Sequence, residues 1–597
     1  MQQKRTAPGS PRGVIRRVAR RAAYTLAARL SPERGEALMA MGRVGTAFIA
    51  GRKPLPASVG DGPAPTGRRK AQKEPRIALG ELAHVLQAID TEDFGRAVAL
   101  TDALLLRYPE STRVLNLRRQ ALAPTGDLTE RARALHRLHW LNGGSDHWAG
   151  ERNVLGRLTE TTPGWIPHIP GPPRPIVPES DDVVMHLLKA SVPYMLTGFT
   201  MRQRYNLLAA VGAGIKPVGV TTLGYPRELG VTEFPMVEYP DDIPYYRLDL
   251  GPFYPLDRPV DEQLDHQAWM IARLARKVRP AVIHASSGHR GYEFALIGQA
   301  LRTHLGIPLV YEVRSFFDST WIGDESVQEF GEQYERRFDT ETRTMKAADH
   351  VITIADAMRD EIIERGIDPD RVSVVPNAVD TDVFTPRPAD PVLKRKYGLE
   401  GVYTIGYVSN IDHSREGHEN LVEVTKVLLR RGRRVRCLIV GDGKRADLVK
   451  AYAKELGVAD DVVFTGLVQH DQVADHYALL DAFVVARRDE RAARVVTPLK
   501  PYEAIAMALP MIIADLPALR EIANPDERGL AYPAGDIEAL ADTIERLMDD
   551  PALASRLGEA GRAWVSTTRR WADNGPRFRE VYRKVLDEQG RRNRSVA

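Results

Sequence analysis

"VVTPLKPYEAIAMALPMIIADLPALREI", Val495–Ile522, runs from a polar loop into a helix and then a buried strand. "YEAIAMAL" is rich in helix formers, and "PMIIAD" is a short apolar run of the kind that forms a strand covered on both faces. Pro498 and Pro501 flank Leu499 and Lys500, and each proline lacks an N–H. The N–H groups of the helix's first turn are left for an anion, which the helix dipole also favours. Lys500 adds a positive charge. Glu503, in the first turn, offers two carboxylate oxygens side by side, a match for the vicinal hydroxyls of a ribose. Thr497, Pro498, Leu499, Lys500 and Glu503 therefore read as a site for a nucleoside diphosphate. The plainer reading is that Glu503 only complements a helix N-terminus and Lys500 is solvated.

Outward from this stretch the same grammar repeats. After Asp182 short apolar strands alternate with amphipathic helices: "VVMHLLKAS", "IKPVGVTTLG", "PAVIHASSG", "IPLVYEVR", "HVITIAD" and "RVSVVPN". A break at "TPRPADPVLKRKYGLEG" is followed by a second series: "YTIGYVSN", "RVRCLIVGDG", "DVVFTG", "DAFVVAR", "PMIIAD" and "GLAYP". Strand and helix in alternation predict parallel sheets covered on both faces. Two doubly wound sheets in tandem predict a cleft, with ligands at the carboxyl ends of the strands. Those ends carry small and polar groups. Asn410 closes "GYVSN", a helix is expected to start near Gly417, and Gly441 and Gly443 close "LIVGDG". Glycines at such turns also serve the backbone alone; here they recur in order.

The chain has 597 residues and a net charge of +4, is 43% hydrophobic and 27% charged, and is long enough for several cores. Its one cysteine, Cys437 in "VRCLIVG", excludes a disulfide framework and a multi-thiolate metal site and reads as a core residue. No apolar run approaches the ~20 residues of a membrane span. A reducing cytoplasmic setting is expected. Charge is uneven: residues 1–75 hold 16 Lys and Arg against 4 Asp and Glu, so the remainder is net acidic. This stretch reads as a basic tail and flexible linker. "VIRRVARRAAYTLAARL" within it suits either an amphipathic helix on an anionic membrane, such as the inner face of the plasma membrane, or a solvated tail. With no nucleic-acid module beside it, a nucleic-acid partner is not expected.

Residues 76–150 show apolar positions at i, i+3 and i+4, broken at "YPES" and "PTGD". They read as a tetratricopeptide-like helical region able to hold a protein partner. A proline-rich linker is expected over 151–181, an N-terminal, acceptor-side domain over 182–393, and a C-terminal, donor-side domain over 394–570. A C-terminal helix crossing back, with a tail, is expected over 571–597.

The quoted stretch, together with "GLAYPAGDIEALADTIERLMDDP", "VSVVPNAVDTDVF", "GYVSNIDHSREGHENLVEV", "LIVGDG" and "VVFTGLVQHDQVADHYALLDAFVVARRD", resembles the C-terminal domain of family-4 glycosyltransferases. "LLKASVPYMLTGFTMRQRYNLLAAVGAGIKPVGVTTLGYPR", "IHASSGH" and "YEVRSFFDSTW" are similar to the family's N-terminal half. The resemblance covers about 182–590. It implies the GT-B fold and a retaining hexosyltransferase-type reaction: a sugar passes from a nucleoside-diphosphate sugar to a lipid-linked or polysaccharide acceptor. No cofactor and no metal are expected, and no Asp-x-Asp stands at a suitable strand end.

Glu503 matches the second glutamate of the family's pair, which implies the ribose contact. Where the first would stand, this chain has Val495 or Arg494. Asn410 and Glu416 occupy places usually held by Arg and Lys, with Arg415 and Lys500 expected to substitute; Arg314 replaces a family histidine. These departures resemble a branch associated with surface-polysaccharide assembly. Arg314, Arg415 and Lys500 are the catalytic candidates, stabilising charge on a departing diphosphate. Gly198 in "MLTGFT" is expected to let the backbone approach the β-phosphate. His284 and His289, expected on strand-end loops facing the cleft, are acceptor-side candidates or structural histidines. A nucleotide-sugar epimerase of the same fold and a catalytically silent scaffold are the alternatives.

Overall fold

The computed structural model describes residues 77–142, 148–251, 258–288, 291–318 and 331–596. The basic tail, with its amphipathic-helix reading, and His289 lie outside them. The chain divides into two compact units. The first holds the described residues up to Thr162 with Arg258–Glu262 and 331–336; the second holds the rest.

The first unit carries helices Leu79–Asp90, Phe94–Arg107, Thr112–Thr125, Leu128–Leu141 and Trp148–Glu160, each packed on the next. Local chemistry sets their ends. Asp93, Ser111 and Asp127 accept from backbone N–H groups of the turns that follow, which satisfies donors the helix cannot pair internally. Leu82, Val85, Leu104 and Val114 form one small core, and Leu128, Leu135 and Val154 another. The breaks fall at "YPES" and "PTGD". The Trp148–Glu160 helix, however, runs into the stretch read as linker from 151. Val154, Leu155 and Leu158 give it an apolar face that prolines further on had obscured.

The second unit contains two sheets. In the first, β1 (Val183–Leu188), β2 (Lys216–Thr221), β3 (Val237–Glu238), β4 (Tyr245–Tyr246), β5 (Val282–Ser286), β6 (Leu309–Val313), β7 (His350–Thr353) and β8 (Val372–Val374) lie in the order β3-β4-β2-β1-β5-β6-β7-β8. Only the short β3–β4 pair is antiparallel. In the second sheet, β9 (Tyr403–Val408), β10 (Val435–Val440), β11 (Val462–Phe464), β12 (Ala482–Val485), β13 (Met511–Ala514) and β14 (Leu530–Tyr532) lie in the order β11-β10-β9-β12-β13-β14, all parallel. Their largely apolar runs, broken by Thr404 and Arg436, follow from coverage on both faces.

The strand order reverses between β1 and β5 in one sheet and between β9 and β12 in the other, and such switch points open crevices at the carboxyl ends. The final helix, Asn574–Val596, returns to the first sheet, where Phe578, Val581, Tyr582 and Val585 pack on Val184, Val282, Val310 and Ile352. Cys437 is fully buried in β10, and burial pushes its thiol up to about 12, as befits a core residue. Among the described residues no helix is long and apolar enough to cross a membrane.

Candidate active site

The helix Lys500–Ala506 begins at Lys500 itself, with Pro501 in its first turn. Lys500 Nζ lies 3.2 and 3.1 Å from Glu503 Oε1 and Oε2. The Tyr477 hydroxyl donates to Glu503 Oε2 at 2.9 Å. The Glu503 carboxylate is thus already oriented from two sides. Ahead of it, Thr497 accepts at its carbonyl from Asn377 Nδ2 (2.8 Å), Pro498 follows, and Leu499 faces the other sheet's domain. A methyl group on Gly198 would come within 3.1 Å of Leu499 Cδ1. Gly198 opens the Gly198–Gly212 helix, whose N-cap Thr197 accepts from Thr200 N. Gly198 thus lies against Leu499 at the start of its helix.

At the β9–β12 switch point, Asn410 is exposed just past β9. A turn, Ser414–Glu416, leads to Gly417 and the helix His418–Arg430. Gly417 has φ +71°, and a methyl group there would sit 1.8 Å from the Ala486 carbonyl oxygen, so only glycine fits. Asn420 Nδ2 also donates to that carbonyl (3.0 Å) and Arg488 N to Arg415 O (3.0 Å), which binds the two strand-end loops together. Gly441 and Gly443 crowd the backbones of Ser409 and Ile411 in the same way. Burial lowers the Arg415 guanidinium pKa, with Glu416 opposing from 3.6 Å.

Glu416, beside Arg415, is turned inward. It is buried in a two-point pair with Arg487 (Nη2–Oε1 2.9 Å, Nε–Oε2 3.1 Å) and accepts from Tyr407 Oη at 2.6 Å. Burial alone would raise it, but Arg487, Arg415 and Tyr407 hold it down to about 2. Arg487 and Tyr477 are the residues that motif reading passed over. Arg487 stands two places past β12, where a charge following an apolar strand is the one available signal; Tyr477 ends a helix of only five residues, Val473–Tyr477, and offers none.

In the first sheet's domain, Arg314 follows β6. Its guanidinium is buried against the Phe199 ring, 3.9 Å from the centroid, and Nε lies 3.5 Å from Glu312 Oε2. Burial pushes it down to about 10, partly offset by Glu312. Nε and Nη2 have no hydrogen-bond partner among the described residues. Glu312 is paired with Arg202 (2.9 Å), which also reaches Asn377 Oδ1, Pro376 O and Val375 O.

His284 corrects the expectation placed on it. It lies within β5, not on a loop, and is 1% exposed. It stacks on His186 at 4.6 Å, and its Nδ1 lies 2.7 Å from Tyr582 Oη. Strand alternation turns it to the face that the final helix covers, so it faces no cleft. Across the two domains, Glu521 accepts from Ala357 N (2.6 Å) and Asp356 N (3.0 Å), and Arg491 reaches Asp318 at 2.9 Å. Among the described residues no group of three or more His, Cys, Asp or Glu is placed to hold a metal ion.

Residues 215–383 match the family model described as Glycosyltransferase Family 4, and 390–564 the one described as Glycosyl transferases group 1. A GDP-mannose-dependent alpha-(1-6)-phosphatidylinositol monomannoside mannosyltransferase of Mycobacterium tuberculosis is 32% identical over 200 residues, 33% of this chain and 52% of the relative. The chain spans about half the length of the curated relatives it matches. In structure it is similar to a sucrose-phosphate synthase of Thermosynechococcus elongatus (TM-score 0.56, 21% identity, 68% of this chain and 99% of that one). It is also similar to HepE of Anabaena in complex with UDP (TM-score 0.52, 15% identity, 67% and 99%). Two stretches of the second unit thus match glycosyltransferase family models, and its two sheets form the GT-B fold.

Proposed function

We propose that the protein moves a sugar from a nucleoside-diphosphate sugar to an acceptor hydroxyl with retention of configuration, in the synthesis of cell-surface polysaccharide or glycolipid. The observation that carries this reading is the Lys500–Glu503 pair at the start of a helix beside the switch point of the second sheet. Glu503 takes the ribose hydroxyls. Lys500, Arg415 and the N-terminus of the His418–Arg430 helix take the diphosphate, and Arg314 approaches it from the facing domain. Departure of a diphosphate leaves an oxocarbenium-like sugar, and preorganised cations lower that barrier more than a strong base would. No metal or cofactor is required in this scheme. The named substrate of the mycobacterial relative and the UDP held by HepE support a nucleotide donor. The acceptor is assigned to the first sheet's domain, a protein partner to the helical unit, and an anionic membrane surface to the basic tail.

A silent scaffold is favoured by one observation: Val495 and Arg494 stand where the family's first glutamate is expected, and Arg494 pairs with Asp489. A panel of nucleoside-diphosphate sugars, assayed for released nucleoside diphosphate with and without a glycolipid acceptor, separates the readings. Acceptor-stimulated release from one donor is expected. Interconversion of the donor sugar without acceptor would mean an epimerase, and nucleotide binding without turnover a scaffold.

A further inference from the structure

We infer that Tyr477 is a positioning residue that holds the Glu503 carboxylate in place for the nucleotide ribose while Lys500 turns to the diphosphate. The inference rests on Glu503 being the ribose contact. Tyr477 closes the short Val473–Tyr477 helix and is fully buried. Its ring is pinned edge-on against Phe384 (centroids 5.9 Å, 83°) and tilted on Phe483 (5.7 Å), so its hydroxyl has one place to be. Two acceptors lie in reach, Glu503 Oε2 at 2.9 Å and the Lys500 carbonyl at 3.2 Å. The single proton goes to the nearer, charged oxygen, because charge-assisted hydrogen bonds are the stronger. Burial and the neighbouring Glu503 push the phenol pKa well above its ordinary value, which keeps it a donor.

The other partner of Glu503 differs in kind. Lys500 Nζ straddles both carboxylate oxygens, but its side chain is 32% exposed, on a flexible stem, against 12% for Glu503. An incoming diphosphate competes for that ammonium. Once Lys500 is drawn away, Glu503 would be free to rotate about its own bonds and lose the alignment on which two hydroxyls depend. Tyr477 is the remaining hold, since it sits in the core and meets no ligand. The division of labour follows: a mobile cation for the phosphates, a fixed phenol for the carboxylate, and the outer lone pairs of Glu503 for the ribose.

The test measures binding of UDP and GDP, and of their 2′,3′-dideoxy forms, by calorimetry on the full chain. The quantity read is the ratio of ribo to dideoxy affinity, which a partly unfolded sample does not alter. The wild-type protein should prefer the ribo form of the nucleotide it binds by about tenfold or more, and Glu503→Gln should bring the ratio near one. Tyr477→Phe keeps the ring packing and should cut the ratio by about three- to tenfold, with dideoxy affinity unchanged. The double variant should match Glu503→Gln. A wild-type ratio in Tyr477→Phe, beside a lost ratio in Glu503→Gln, would overturn the role of Tyr477 and leave the ribose assignment standing. Equal weakening of both nucleotide forms by Tyr477→Phe would make Tyr477 a packing residue only. A wild-type ratio in Glu503→Gln would remove the ribose assignment, and the Tyr477 role with it.

Discussion

Arg487, just past one strand of the switch point, holds Glu416, in the turn after the other, through two hydrogen bonds of 2.9 and 3.1 Å, and both side chains are buried. The pair joins the loops that frame the proposed diphosphate site. Arg487 Nη1 also donates to the Val496 carbonyl at 2.9 Å, which ties in the loop ahead of Lys500.

Breaking this pair from one side should be costly. Arg487→Met leaves a buried carboxylate without its cation, which typically costs roughly 3–5 kcal/mol. The joint change of Arg487→Met with Glu416→Gln should recover a good part of that loss. Urea denaturation of the three proteins measures both effects; a loss below about 1 kcal/mol for Arg487→Met would mean the pair is dispensable.

The same pair gives an acid limb. Glu416 is held at about 2 in the folded protein, below its ordinary value of 4.5. The unfolded chain therefore takes up this proton first as pH falls. The stabilisation is complete above the ordinary carboxylate range and is lost progressively as pH drops toward about 2. Thermal unfolding midpoints followed from neutral to acid pH should fall, and Glu416→Gln should begin lower at neutral pH and fall less steeply. Parallel curves would assign the acid limb to other carboxylates.

Gly417→Ala should be destabilising well beyond the ~1 kcal/mol of an unfavourable φ, because the new methyl group would meet the Ala486 carbonyl at 1.8 Å. Gly432→Ala is the matched control, with φ +80° and nothing within 4 Å of the added carbon. The difference between their unfolding free energies isolates the clash. Equal losses would mean that the β9 and β12 loops part easily.

Glu503→Gln should keep the fold and weaken nucleoside diphosphate binding by about tenfold or more, since hydrogen bonds to a charged group contribute roughly 1.5–3 kcal/mol. Turnover should fall with it. Calorimetry with UDP and GDP reads the affinity directly, and an unchanged value would move the ribose elsewhere.

Chelation should leave sugar transfer intact, because the proposed charge stabilisation comes from Arg314, Arg415 and Lys500. Turnover measured in EDTA, and again after added magnesium or manganese, checks this. Loss in the first and recovery in the second would place a metal in the reaction.

Short-range chemistry was readable from the amino-acid sequence. Strand and helix alternation, the helix breaks at "YPES" and "PTGD", and the prolines around Lys500 act within a few residues. They are enough to predict two parallel sheets, the restart of the pattern between them, and a carboxylate and an ammonium together at one helix entry. Lys500 and Glu503 are three positions apart, so their sharing one helix entry was legible, while the ion pair between them comes from the structure.

What the tertiary structure decided involves residues far apart along the chain or the choice of a face. Glu416 and Arg487 are 71 positions apart, and Tyr477 and Glu503 are 26; strand order brings each pair together, and no local pattern records it. His284 looks like a cleft residue in a linear reading, yet register places it beside His186 under the final helix, almost 300 residues later in the chain at Tyr582. A side chain's face depends on which strand lies next to it and what covers the sheet. Burial and buried partners then shift its pKa, burial for Arg314 and the partners Arg487, Arg415 and Tyr407 for Glu416, so these electrostatics are a property of the fold.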